Sequence, residues 1–97
     1  MIYKCFAVKD KALDSYSAPF TQATVEAGQR MWRDLVMFEG GENNRYARNP
    51  EDYSLYLLGE YDDTTGQMIA LETPMQISNA TDVISDKPTT KLAEVSQ

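Results

Sequence analysis

The sequence predicts an α+β domain: a small antiparallel sheet of three to four strands with one helix packed on a face, and a C-terminal extension. Three observations carry this expectation. Runs at 2–9 and 54–62 alternate their side chains with the period of a strand. One longer stretch, 22–38, repeats its apolar residues at helical spacing. After residue 72 the periodicity fades and Ser, Thr and Pro take over. A chain of 97 residues holds one domain rather than two, so the core is assigned to 1–72. Residues 73–97 are expected to be an extended or mobile tail.

The elements follow in order. In IYKCFAV, residues 2–8, Ile2, Phe6 and Val8 share one parity and Tyr3, Cys5 and Ala7 the other. Both sets are partly apolar, as suits a central strand. KDKALDS is a polar turn. Around YSAPF, residues 16–20, a short strand is expected over 15–19 that pairs back on the first, with Pro19 ending it or confining it to an edge. In the helix, Val25, Gly28, Trp32, Leu35 and Val36 fall on one face. Thr21 is its expected N-cap, Glu26 lies near the positive end of its dipole, and Gly40 with Gly41 stops it. A glycine costs a helix interior about 1 kcal/mol against alanine, so Gly28 marks a close approach to the sheet.

Residues 42–53 read as a loop in which Pro50 starts a single turn-like step. In SLYLLGEYD, 54–62, Leu55, Leu57, Gly59 and Tyr61 are expected on one face, with Tyr56, Leu58 and Glu60 on the other. DDTTGQ is a hairpin with Gly66 in the left-handed region, and 67–72 is the returning strand. The expected core is Ile2, Phe6, Val8, Val25, Trp32, Leu35, Leu55, Leu57 and Ile69.

The formal charge of −6 is uneven. Residues 1–48 hold seven bases and six acids, a net +1, and 73–97 hold two bases and three acids, a net −1. Residues 49–72 hold six acids and no base, so the excess acid lies there. Turns favour aspartate: Asp62 and Asp63 accept bonds from nearby N–H groups, and Glu51 with Asp52 caps a turn. This acidity argues against indiscriminate duplex binding but leaves room for a basic surface in the first half.

Chemistry is scarce. With no histidine, the commonest general base and metal ligand is missing. Cys5 is the only cysteine, which excludes an intrachain disulfide and a cysteine-rich zinc site; it reads as a small buried hydrophobe in a reducing compartment. Neither Asp62–Asp63 nor Glu51–Asp52 has the spacing of a calcium loop or the partners of an acid pair. No glycine-rich phosphate loop occurs. The expectation is a protein that is not an enzyme, with no catalytic residue, metal or cofactor. The opening MIYKCFAVKD is too short and too charged for a signal peptide or a membrane span, so no membrane association is expected.

The remaining constellation is basic and aromatic. Arg45, Tyr46 and Arg48 share a loop, while Tyr3, Lys4, Lys9 and Tyr56 lie on strands expected to pair. Single-stranded nucleic acid is held by cations on phosphates and by aromatic faces under bases, each stacked base worth about 1–3 kcal/mol. Trp32 reads instead as a core anchor, and Arg30 and Arg33 as a solvated or partner-facing side of the helix.

Two segments, MIYKCFAVKDKALDSYSAPF and RNPEDYSLYLLGEYDDTTG, resemble the signature segments of the small nonstructural protein of gokushovirus-type microviruses, bacteriophages with single-stranded DNA genomes. The matching residues are Ile2 to Asp10, Pro19 and Phe20, and Asn49 to Gly66. The resemblance covers about three quarters of the chain and implies a replication-stage role in the host bacterial cytoplasm, in a family described as nonstructural or DNA-binding. It carries over no binding residues. The function expected is binding of single-stranded DNA during genome replication or packaging. Lys4, Lys9, Lys11, Arg45 and Arg48 would meet phosphates, and Tyr46 and Tyr56 would stack on bases. On that assignment Tyr46→Ala weakens binding and leaves stability nearly intact. The alternative is an adaptor that binds the viral replication initiator or a host replication protein and touches no DNA, using its acidic segment and tail. A homo-oligomer is expected, because a small sheet leaves an edge to pair.

Overall fold

The computed structural model describes residues 1–39 and 43–85. Five antiparallel strands form one curled sheet: β1 (Ile2–Asp10), β2 (Ser15–Tyr16), β3 (Phe20–Gln22), β4 (Tyr53–Asp62) and β5 (Gln67–Asn79). β1 is central, with β4 on one side and β2 and β3 in tandem on the other; β5 lies outside β4. The main helix α1 spans Val25–Met37, and a short α2 spans Arg45–Arg48, followed by a 3-10 turn at Pro50–Asp52. Residues 80–85 are helical and are called α3.

The expected second strand is split in two. Its backbone follows β1 as far as Ser17, whose N–H donates to the Val8 carbonyl at 2.8 Å. The Ser17 hydroxyl oxygen accepts the Val8 N–H at 3.0 Å, replacing a backbone partner. Pro19 has no N–H to give, and pairing resumes only at Phe20, opposite Phe6.

The helix begins later than expected. Thr21 is in β3, opposite Cys5, and Thr24 is the N-cap, its side chain accepting the Ala27 N–H at 3.1 Å. The proposed stop at Gly40 and Gly41 lies outside the described residues. Gly28 behaves as expected. A Cβ there would fall 2.4 Å from the ring of Phe6, so only hydrogen fits between helix and sheet.

The core lies between one face of the sheet and the helices. Phe6, Val8 and Leu55 come from strands, Trp32 and Val36 from α1, and Ala80 and Val83 from α3. Four expected core residues are not in it: Ile2, Leu35 and Ile69 are exposed and Val25 is half-buried outside the cluster, while Leu57 packs against it partly buried.

The expected face assignment in β4 holds only to Leu57. Cys5 pairs with Gly59 but Phe6 pairs with Leu57, so Leu58 is an extra residue against β1. The bulge inverts the parity. Leu55 and Leu57 share the helix side with Val8 and Phe6, whereas Gly59 and Tyr61 lie opposite Cys5 and Tyr3 on the other side.

The segment from Thr73 is also different from the expectation. β5 runs to Asn79, pairing with Ser54, and α3 then places Ala80 and Val83 in the core. Two register shifts in β5 disguise this strand in the sequence; Leu58 alone faces residues 71–74, which include Pro74. Residues 86–97 of the expected tail lie outside the described residues.

The hairpin acids do turn chemistry. The Asp62 carboxylate accepts the Thr64 N–H at 2.9 Å, and Gly66, at φ 76°, donates to the Asp62 carbonyl at 2.7 Å. Glu51 and Asp52 lie in the 3-10 turn without the expected side-chain cap. In a different turn, the one after β1, Asp10 accepts the N–H groups of Ala12 and Leu13.

Candidate nucleic-acid interface

Antiparallel pairing decides which side chains meet. β2 sets Tyr16 opposite Lys9, and β4 sets Ser54 opposite Lys9 with Tyr56 opposite Ala7. Cross-strand partners share a face, so Lys9, Tyr16 and Tyr56 converge on the side away from α1. The Lys9 ammonium lies 5.5 Å from the Tyr16 ring centre and 5.9 Å from that of Tyr56. The two rings meet edge to face at 5.5 Å. A cation over an exposed aromatic face is worth about 0.5–1 kcal/mol.

Other groups hold this cluster. Tyr56 donates to Gln76 at 3.3 Å, Gln76 donates to Asn79 at 2.9 Å, and Ser54 donates to the same Asn79 oxygen at 2.5 Å. Asn79 in turn donates to Asp82 at 3.3 Å, which connects the Tyr56 ring to α3. Asp14 approaches Lys9 at 3.5 Å, but its carboxylate is 87% exposed. An ion pair that open to water is worth little, and a phosphate can replace it.

Tyr16 also borders a cleft of about 180 Å³, shared with Arg45, Tyr46, Tyr53 and Asp10. Arg45 reaches it from α2, and Asn44 determines where α2 lies. The Asn44 side-chain oxygen accepts the N–H groups of Tyr46 and Ala47. Its amide nitrogen donates to the carbonyls of Leu35, Val36 and Phe38 at 2.8–3.1 Å. One buried amide thus caps α2 and ties it to the end of α1.

The seven expected contact residues do not form one surface. Lys9 and Tyr56 meet, whereas Arg45 lies in the cleft with Val8, Tyr46 and Tyr53 on the helix side of the sheet and shares only Tyr16 with the Lys9 cluster. Tyr46 is turned inward, edge to face with Trp32 at 5.5 Å and with Tyr53 at 5.1 Å. Lys4 has the opposite parity to Lys9, and its ammonium lies 2.5 Å from the Glu60 carboxylate. Lys11 is exposed in the turn after β1, its N–H bonded to the Asp52 carbonyl at 2.8 Å. Arg48 is exposed at the end of α2. Tyr16 is the residue that sequence reasoning missed, although a strand pairing back on β1 was enough to bring it near Lys9.

Arg30 and Arg33 line a separate groove with Ile77, Ser78 and Val83. Among the described residues no group of three or more His, Cys, Asp or Glu is placed to hold a metal ion. No helix among them is long and apolar enough to cross a membrane. Burial pushes the Cys5 thiol pKa up, which makes it a poorer nucleophile.

A family model described as Phage ORF5 protein matches residues 3–83, a span that includes every residue of the Lys9 cluster. No curated protein and no solved structure matches the chain.

Proposed function

The chain belongs to the Phage ORF5 protein family, and from that premise we propose that it binds single-stranded DNA in the cytoplasm of the host bacterium during genome replication or packaging, without catalysing a reaction. The carrying observation is the Lys9 ammonium lying against both the Tyr16 and Tyr56 rings. Tyr16 and Tyr56 stack on bases and Lys9 meets an adjoining phosphate; Arg45, on the helix side of Tyr16, meets the strand where it passes the β2 edge, with Lys11 and Arg48 at the margin. Tyr46 supports the wall behind them rather than touching bases. Lys4, held by Glu60, contributes nothing.

Magnitudes decide whether an acidic protein is suited to this. β4 has ten residues, so at about 3.3 Å each the acidic hairpin lies on the order of 30 Å from the Tyr53 end. The screening length at physiological ionic strength is about 8 Å. Asp62 and Asp63 therefore leave the Lys9 end nearly untouched and disfavour strand binding at their own end.

The experiment is fluorescence anisotropy of a labelled single-stranded oligonucleotide titrated with protein at several salt concentrations. Two to four phosphate contacts give a slope of log K against log salt of about −1.4 to −2.8, at roughly −0.7 per phosphate. Tyr16→Ala is expected to weaken binding by about tenfold or more, the loss of one stacked base. Absence of binding at low salt overturns the proposal.

A second reading, the adaptor for the replication initiator or a host replication protein, draws on the exposed acidic hairpin. A pull-down after nuclease treatment separates the two, since protein partners that persist without nucleic acid favour the adaptor.

A further inference from the structure

β5 is the outermost strand on its side of the sheet, and among the described residues no strand pairs with its outer side. Native sheets usually blunt such an edge with charge or cover it. Residues 67–71, Gln-Met-Ile-Ala-Leu, carry no charge. Met68 and Ile69 are 59% and 55% exposed, and they project from opposite faces, one beside Tyr61 and the other beside Glu60.

We propose that this edge pairs with the same edge of a second copy of the chain, antiparallel, about a two-fold axis through Ile69. Such an axis runs perpendicular to the sheet and keeps each face on its own side, so every residue meets one of its own parity. Ile69 then lies opposite the partner's Ile69, and Met68 lies opposite the partner's Ala70.

Three features favour a second copy over a foreign strand. The cross-sheet row ending at Ala70 is Cys5, Gly59, Ala70, all small, so the partner's Met68 meets a shallow trough. The row ending at Ile69 contains Glu60, whose charge is neutralised by Lys4 at 2.5 Å; a two-fold axis otherwise brings two like charges toward each other. Glu72 stays clear of the partner's Glu72 in this register, and Pro74, lacking an N–H, ends the pairable stretch.

The test uses the full chain without nucleic acid. Light scattering after size exclusion, over a concentration series, is expected to show a dimer that dissociates on dilution. Ile69→Lys is expected to be monomeric at every concentration with an unchanged circular dichroism spectrum. Cross-linking reads the register independently. Under mild oxidation Ile69→Cys is expected to form a disulfide dimer at least tenfold faster than Gln67→Cys. A wild-type chain that stays monomeric, an Ile69→Lys variant that dimerises like wild type, or equal cross-linking of the two cysteine variants overturns the proposal.

Discussion

β4 starts beneath a roof of helices and ends without one. Near its start, Leu55 is fully buried in a cluster that includes Trp32 and Val36 of α1 and Ala80 and Val83 of α3. Near its end, Glu60 and Tyr61 pair with Ile69 and Met68, both more than half exposed. The change falls at Leu58 and Gly59, where the bulge inverts the parity. Gly59 is required there, since a Cβ would lie 2.2 Å from the Ile69 carbonyl oxygen. One continuous strand therefore serves two purposes. The roofed end holds the stability and fixes the Lys9 cluster. The open end is a thin ribbon with apolar side chains on both faces.

The sharpest way to break this contrast is to truncate one apolar residue at each end. Leu55→Ala is expected to cost about 2–5 kcal/mol, the range for a buried leucine. Ile69→Ala is expected to stay within about 0.5 kcal/mol in the monomer, as surface substitutions do. Chemical denaturation at low protein concentration measures both; equal costs contradict the division. Asn44→Ala comes next. It removes a cap and leaves the carbonyls at the end of α1 without their donor, for an expected loss of about 2–3 kcal/mol. Its effect on DNA binding should exceed its effect on dimerisation, because α2 carries Arg45.

Gly28→Ala has a smaller expected cost. Alanine gains about 1 kcal/mol of helix propensity, but its methyl group meets the buried Phe6 ring. Overpacking costs about 1–3 kcal/mol, so a net loss of about 1 kcal/mol is expected by thermal or urea unfolding. A stabilised variant indicates that the helix and sheet separate easily.

The smallest effect concerns Cys5 and pH. Burial raises its folded-state pKa above the ordinary value of 9.0. The folded chain then binds more protons than the unfolded chain at alkaline pH, so this contribution to stability is full below the unfolded-state pKa. It falls as pH rises through that value toward the folded-state pKa. The decline in stability above about pH 9 should be slightly shallower in Cys5→Ala. Wild-type Cys5 should also resist thiol reagents until the protein unfolds.

Much of the fold was legible because local physics dominates it. The alternation in IYKCFAV, the stripe of Gly28, Trp32 and Val36, and the Gly66 hairpin each follow from period and turn chemistry. β5 beyond residue 72 was not legible, because bulges opposite Leu55–Gly59 destroy the alternation that announces a strand. Without that strand, Ala80 and Val83 had no visible route into the core. The candidate site was legible in part. Lys9, Arg45 and Tyr56 stood out as residue types, but Tyr16 acquires its place from the register of β2 on β1. Tyr46 acquires its inward orientation from Asn44 and Trp32. Lys4 could be separated from Lys9 by parity alone, since five residues along a strand brings the opposite face.

The most direct measurement is amide chemical-shift mapping of isotope-labelled protein titrated with a single-stranded oligonucleotide. Binding at the roofed end predicts shifts concentrated at Lys9, Tyr16, Arg45 and Tyr56, with residues 60–70 unchanged at a protein concentration held constant. Shifts centred on the hairpin and β5, or none at saturating oligonucleotide, contradict the division of labour between the two ends of β4.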